Sequence, residues 1–224
     1  MVLCRWWLAR PALVFASRTG GVLATAVPWR LVLPTYPSLG VFWVLMSLMH
    51  VSEYIATAMY RRDLSLNSFL INHSAAYHGA IAAGVGEYLV TRWLWPGCKD
   101  SMGAGAWLAA AGALSMLAVR VAAMVTAGNN FRHLIAETRE RDHQLVTRGV
   151  YAVLRHPAYT SFFYFGPCLQ LVLGNRLCVI AYVVVLWRFF ADRIPYEEEL
   201  LIEFFGDQYT AYRQKTRTWI PFIP

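Results

Sequence analysis

The sequence predicts an all-α, polytopic integral membrane protein, and three observations predict it. Hydrophobic residues make up 58% of the 224, only 15% are charged, and mean hydropathy is positive at +0.41, whereas soluble domains run near ~25% charged. Long apolar runs recur along the chain, so lipid must be the solvent for most of its surface. The charges crowd into two stretches, 128–157 and 188–224. The length suits one domain. A soluble enzyme and a disordered tail are excluded.

Residues 1–37 come first. No acidic residue precedes Glu53, while Arg5, Arg10, Arg18 and Arg30 stand among Ala, Ser, Leu and Trp. A cleaved presequence ending near Ala24-Thr25-Ala26 is one reading. The preferred one takes 2–17 and 20–33 as one or two membrane or interfacial segments interrupted by Pro11 and Pro28. Residues 38–127 then hold three spans. The run 38–60 is long enough, at ~1.5 Å per residue, to cross about 30 Å of hydrocarbon, and Arg61-Arg62-Asp63 closes it. The second, 68–95, carries His73, His78 and Glu87, and the third, 102–127, has no charge before Arg120. Gly105, Ala109 and Ala113 put small side chains on one stripe of it, where another helix can approach closely.

Residues 128–224 form the third region. A polar connector, 128–157, is followed by two apolar runs, 158–173 and 177–187, joined by Gly174-Asn175-Arg176. This reads as a helical hairpin over 158–187, bringing the total to five transmembrane helices. A charged segment, 188–224, completes the chain, with Glu197-Glu198-Glu199 in a helix. Counting Lys and Arg gives twelve on the side of the connector and the tail, against Arg92, Lys99 and Arg176 on the other. The connector and tail therefore face the cytosol and flank one hairpin, so a single chamber built from both is expected.

The net charge of +7 is accounted for by this topology rather than by nucleic acid. Trp6, Trp7, Trp29, Trp93 and Trp95 read as interface anchors. Cys4, Cys98, Cys168 and Cys178 form no CxxC pair, no histidine cluster completes a zinc pattern, and no metal site is implied. Dinucleotide, P-loop, HExxH and GxSxG motifs are absent from the sequence.

What remains is LVTRGVYAVLRHPAY at 145–159, then WRFFADR at 187–193 with EEELL at 197–201, and FFGDQYTAYRQKT at 204–216. These runs resemble the isoprenylcysteine carboxyl methyltransferases, as do SLNSFLINHS at 65–74 and RVAAMVTAGNNFRH at 120–133. The resemblance covers roughly 47–223. RHPxY with a following Glu-rich block is shared with other membrane methyltransferases and some sterol reductases; the two upstream runs make the match specific.

The resemblance implies methyl transfer from S-adenosyl-L-methionine to the carboxylate of a C-terminal farnesyl- or geranylgeranyl-cysteine, left by CaaX processing, at the endoplasmic reticulum membrane. Prenylated proteins and membrane lipid would be its partners. The family's cofactor contacts fall on His143, Gln144, Leu145, Val146, Tyr151, His156, Pro157, Ala158, Tyr159 and Glu197. A further family contact, a glutamine, falls on Ala136. Arg193 matches the substrate arginine, and Arg120 matches an arginine near the substrate carboxylate, which makes these two the catalytic candidates. An α-carboxylate with a pKa of about 3.5 needs no general base at neutral pH, so positioning would supply the rate.

Plainer readings stand beside these. Arg120 could pair with Glu53 or Glu87 only to lower its burial cost, and His156-Pro157 could merely start a helix. Glu198 and Glu199 read as a solvated helical face. His50, His73, His78 and His133 read as packing or loop residues, and Tyr209, Tyr212 and Trp219 as interface markers. Three rival functions remain: an NADPH-dependent sterol reductase using Arg139 and Arg141 for the extra phosphate, a phospholipid N-methyltransferase, and a non-catalytic membrane scaffold.

Overall fold

The computed structural model describes residues 36–60, 74–95, 97–99, 101–139 and 143–224. The expectations for residues 1–35, for Arg61, Arg62 and Asp63, for His73 and for Arg141 lie outside them. Six α-helices are described: α1 (Pro37–Tyr60), α2 (Ala75–Leu94), α3 (Ala104–Ala127), α4 (Pro157–Val172), α5 (Arg176–Phe205) and α6 (Asp207–Lys215). Short 3-10 turns occupy Gly128–Asn130 and Gly149–Ala152. No strand is present among the described residues; Leu154 and Arg217 form an isolated bridge.

Local chemistry fixes the helix ends. Ser74 caps α2 by accepting the Tyr77 amide at 3.1 Å, as short hydroxyl side chains do for the unpaired amides of a first turn. Gly128 ends α3 with φ +57°, a conformation open to glycine. Pro157 takes the first position of α4, where its missing N–H leaves no bond unmade. The start of α5 is capped from another helix: the Glu87 carboxylate of α2 accepts the amides of Arg176, Leu177 and Cys178 at 2.7, 2.9 and 2.6 Å. A negative group placed against the positive end of the helix dipole is favourable. Glu87 is therefore a helix cap, and Glu53 is the acidic partner of Arg120.

The main core joins α1 (Phe42, Leu45, Met46, Met49), Tyr88 of α2, α3 (Ala109, Ala110, Ala113, Leu117) and α4 (Phe165, Leu169, Val172). Within the small-residue stripe Ala113 is fully buried and Ala109 nearly so, whereas Gly105 is exposed. A second cluster packs Phe163 of α4 and Phe190 and Ile194 of α5 against Ile220 and Ile223 of the tail.

Among the described residues two stretches, Pro37–Tyr60 and Ala104–Asn130, are long and apolar enough to cross a membrane by themselves. The hairpin differs from expectation in its second arm. Instead of stopping near Trp187, α5 continues through Pro195 to Phe205, 30 residues or about 45 Å. The charges after Trp187 mark a change of solvent, not of backbone, because Arg and Glu are good helix formers. One rigid element thereby carries Arg193, Glu197 and Glu198.

Candidate active site

An open cavity lies where the connector, the start of α4, the upper part of α5 and α6 meet. All ten residues that the resemblance assigned to the cofactor line it: His143, Gln144, Leu145, Val146, Tyr151, His156, Pro157, Ala158, Tyr159 and Glu197. The extended segment at its edge is set by Asn130, whose side-chain oxygen accepts the Gln144 amide at 2.9 Å. His143 packs edge-on against Phe205, ring centres 5.3 Å apart. Burial drives the Tyr151 phenol well above its usual range, Tyr212 and Glu197 push the same way, and Arg120 opposes them. It stays neutral at physiological pH.

A second cavity adjoins the first and is more aromatic; Met49, Tyr77, Phe162, Phe189 and Phe190 line it together with Arg120, His133 and Arg193. Tyr159 belongs to both walls. Its ring stacks on His156 at 5.4 Å, with the planes 4° apart. Its hydroxyl donates to Glu197 at 2.5 Å and accepts from Arg193 Nε at 3.0 Å. Arg193 also donates from Nη2 to the His133 carbonyl at 2.8 Å. Arg120 donates from Nε to Glu53, which is fully buried, and from Nη1 to the Ala158 carbonyl at 3.0 Å. His133 Nε2 lies 3.7 Å from the other Glu53 oxygen. Each arginine thus keeps one nitrogen, Nη2 of Arg120 and Nη1 of Arg193, that donates to no described residue.

Beneath the first cavity, Glu198 gathers Arg155, His156 at 3.2 Å and Arg213 at 3.0 Å. Burial by itself would raise the Glu198 carboxyl; the hydrogen bonds and charges of His156 and Arg155 outweigh it and hold the group below its usual range. Arg155 engages all three nitrogens, donating to Glu198, to the carbonyls of Arg213 (3.2 Å) and Thr216 (2.6 Å), and to the backbone oxygen of Pro224. Tyr212 adds a bond to the Tyr151 carbonyl at 2.7 Å. The tail is thereby fastened beside the cavity wall.

Residues 108–203 match the isoprenylcysteine carboxyl methyltransferase (ICMT) family. The chain is 38% identical over 214 residues to the protein-S-isoprenylcysteine O-methyltransferase of Xenopus laevis, covering 93% of this chain and 70% of that one. It is 42% identical over 180 residues to protein-S-isoprenylcysteine O-methyltransferase B of Arabidopsis thaliana, covering 78% and 88%. The chain belongs to the isoprenylcysteine carboxyl methyltransferase family. Against the rat protein-S-isoprenylcysteine O-methyltransferase, 42% identical over 182 residues, the match covers 80% of this chain and 63% of the relative's length. The solved structure of the eukaryotic intramembrane Ras methyltransferase ICMT superposes with a TM-score of 0.81 at 38% identity, over 85% of this chain and 68% of that one. Family and fold make this isoprenylcysteine carboxyl methyltransferase relative an integral membrane protein.

The structure revises several expectations for this family member. Glu198 is 3% exposed and ion-paired, not a solvated face; Glu199 is exposed. Tyr209 and Tyr212 are buried and line the first cavity rather than an interface, while Trp219 is exposed. His156-Pro157 does start a helix, and both residues line the cavity as well. Ala136 lines a small side pocket together with His143 and Glu197. Arg155 and Glu53 were not singled out from the sequence as site residues. Arg155 sits inside the RHPxY run, and a buried carboxylate requires such a partner, but only the fold shows which carboxylates are buried.

Proposed function

We propose that this chain methylates the C-terminal carboxylate of farnesyl- or geranylgeranyl-cysteine in CaaX-processed proteins, with S-adenosyl-L-methionine as methyl donor. The observation that carries the reading is the pair of adjoining cavities sharing Tyr159, one of mixed lining with Glu197 on its wall and one aromatic with two arginines on its wall. The first suits a nucleoside sulfonium compound. The half-buried Glu197 carboxylate can take donors from a hydroxyl or ammonium group, and the rings of Tyr151, Tyr159 and Phe205 offer faces to a cation or to adenine. Among the described residues, the amides of Leu145 and Val146 donate no hydrogen bond, which leaves them for a ring nitrogen. S-adenosyl-L-methionine supplies an electrophilic methyl group when bound there.

The chain's own residues then position the acceptor. Arg120 and Arg193, each with one nitrogen left, anchor the carboxylate by a charge-assisted hydrogen bond. Gripping it by one oxygen leaves the other nucleophilic. Phe162, Phe189 and Phe190 receive the isoprenoid, and Tyr159 fixes the distance between the two cavities by holding Glu197 and Arg193 together. The fold would place five helices across the endoplasmic reticulum membrane with the connector and tail on the cytosolic side, so that the lipid tail enters from the bilayer while the peptide stays in water.

The reductase reading is not favoured by Arg139, which donates to the Phe204 carbonyl at 2.6 Å and lies over the Phe205 ring. Membranes containing the chain, given labelled S-adenosyl-L-methionine and farnesylcysteine, are expected to form a base-labile methyl ester. NADPH oxidation with a sterol, methylated phospholipid, or no product would refute the proposal.

A further inference from the structure

The tail beyond α6 lies outside the proposed reaction, yet its backbone is strained and its exposed face is specific. From 216 to 220 burial alternates along the chain: Thr216, Thr218 and Ile220 are buried, Arg217 and Trp219 exposed. Its bonds descend α4 step by step. The Arg217 carbonyl accepts from the Arg155 amide at 3.0 Å, that of Thr218 from the Thr160 hydroxyl at 2.5 Å, and that of Trp219 from the Tyr164 hydroxyl at 2.7 Å. Trp187 of α5 donates to the Pro221 carbonyl at 2.7 Å. Trp187 is the last residue of α5's apolar run before Arg188, so the turn at 219–222 sits level with the point where that helix changes from apolar to charged.

The turn is locked. Thr218 donates to the Ile223 carbonyl at 2.5 Å, the Ile223 amide donates to Ile220, and both isoleucines are buried. Trp219 and Phe222 have φ of +58° and +63°, unusual for bulky side chains, and the lock holds both rings outward, 62% and 95% exposed. Above them Lys215 and Arg217 border a hollow lined by no acidic side chain; its third outer cation, Arg213, is held by Glu198.

We infer that this turn docks on the lipid leaflet, Trp219 and Phe222 entering at headgroup depth while Lys215 and Arg217 bind the phosphates of anionic lipids. Indole rings favour that depth, and basic residues beside a membrane are drawn to anionic leaflets. Because the same tail is tied to Arg155 and Tyr212, which line the first cavity, the leaflet steadies that wall. The inference rests on the membrane embedding of α4 and α5 and not on the identity of the methyl acceptor.

The test places a benzophenone side chain at position 222 of the full chain, in nanodiscs of phosphatidylcholine alone or with about one-fifth phosphatidylserine. Light is expected to give phospholipid adducts, with a yield roughly fivefold higher in the anionic discs. That rise should vanish on Lys215→Glu with Arg217→Glu, while binding of S-adenosylhomocysteine by the same variant reports an intact fold. Equal yields in the two membranes, or adducts to protein in place of lipid, overturn the inference; neither readout depends on turnover.

Discussion

Glu198 in the upper part of α5 and Glu53 in α1 are both buried and both paired with an arginine and a histidine. Around Glu198 the network is saturated, since Arg155 has every nitrogen bonded to protein. Around Glu53 it is not, since Arg120 keeps Nη2, and its neighbour across the cavity, Arg193, keeps Nη1. A saturated charge network can only hold structure together, whereas a fixed arginine with a donor left over is prepared to take an anion. The same residue types therefore make a closed clamp in one place and leave donors open at the proposed carboxylate site in the other.

The largest expected effect comes from breaking the clamp. Glu198→Ala leaves Arg155 and His156 buried without their counter-charge, a loss of about 3–5 kcal/mol for such pairs, read as a fall in thermal unfolding temperature with loss of S-adenosylhomocysteine binding. Acid should act in the same direction. Because the Glu198 carboxyl is held below its ordinary value of 4.5, its contribution is full above that value and disappears as pH falls through the lowered one. Limited proteolysis of the tail against pH is expected to show faster cutting at the acid end, and Glu198→Gln should remove that dependence.

Arg193→Ala is the converse case: turnover should drop on the order of 10²-fold, as for lost positioning, with the unfolding temperature almost unchanged. A variant that lost stability and activity together would dissolve the distinction between clamp and recognition site. Tyr159→Phe keeps the ring on His156 but unties Glu197 from Arg193, and a roughly tenfold fall in kcat is expected from losing hydrogen bonds to charged groups. The smallest effect is a gain. Ala136→Gln adds a polar group beside His143 and Glu197, and calorimetry should show S-adenosylhomocysteine binding tighter by about two- to tenfold, the worth of one hydrogen bond.

Much of the framework was legible because hydrophobic runs state their solvent. The ranges 38–60 and 102–127 nearly coincide with α1 and α3, and Gly174 marks the hairpin turn. The helix at 197–199 was read from the sequence, but its unbroken continuity with the apolar arm as one 30-residue element was not legible, because a charged helix and a charged loop read alike without knowledge of what packs on them. Glu198 and Tyr209 were misjudged for the same reason: Glu198 is paired with Arg155 and His156 of the connector, and Tyr209 lines the cavity wall with those two residues, and such a contact between distant segments leaves no local periodicity. Glu197, one residue away, points to the cavity, so a step of 100° around α5 separates a cavity residue from a structural one.

By itself, the sequence determined the all-helical membrane class, the order of the segments, and the residue types assembled at the site, since these follow from hydropathy and from motifs read along the chain. Only the tertiary structure decided that the ten residues share one cavity, that Tyr159 divides it from a second, and which of the many arginines are saturated. Charge and hydrogen-bond satisfaction depend on distances between segments some 40 to 70 residues apart, such as Arg120 with Glu53 and Arg155 with Thr216, and no reading along one dimension contains them.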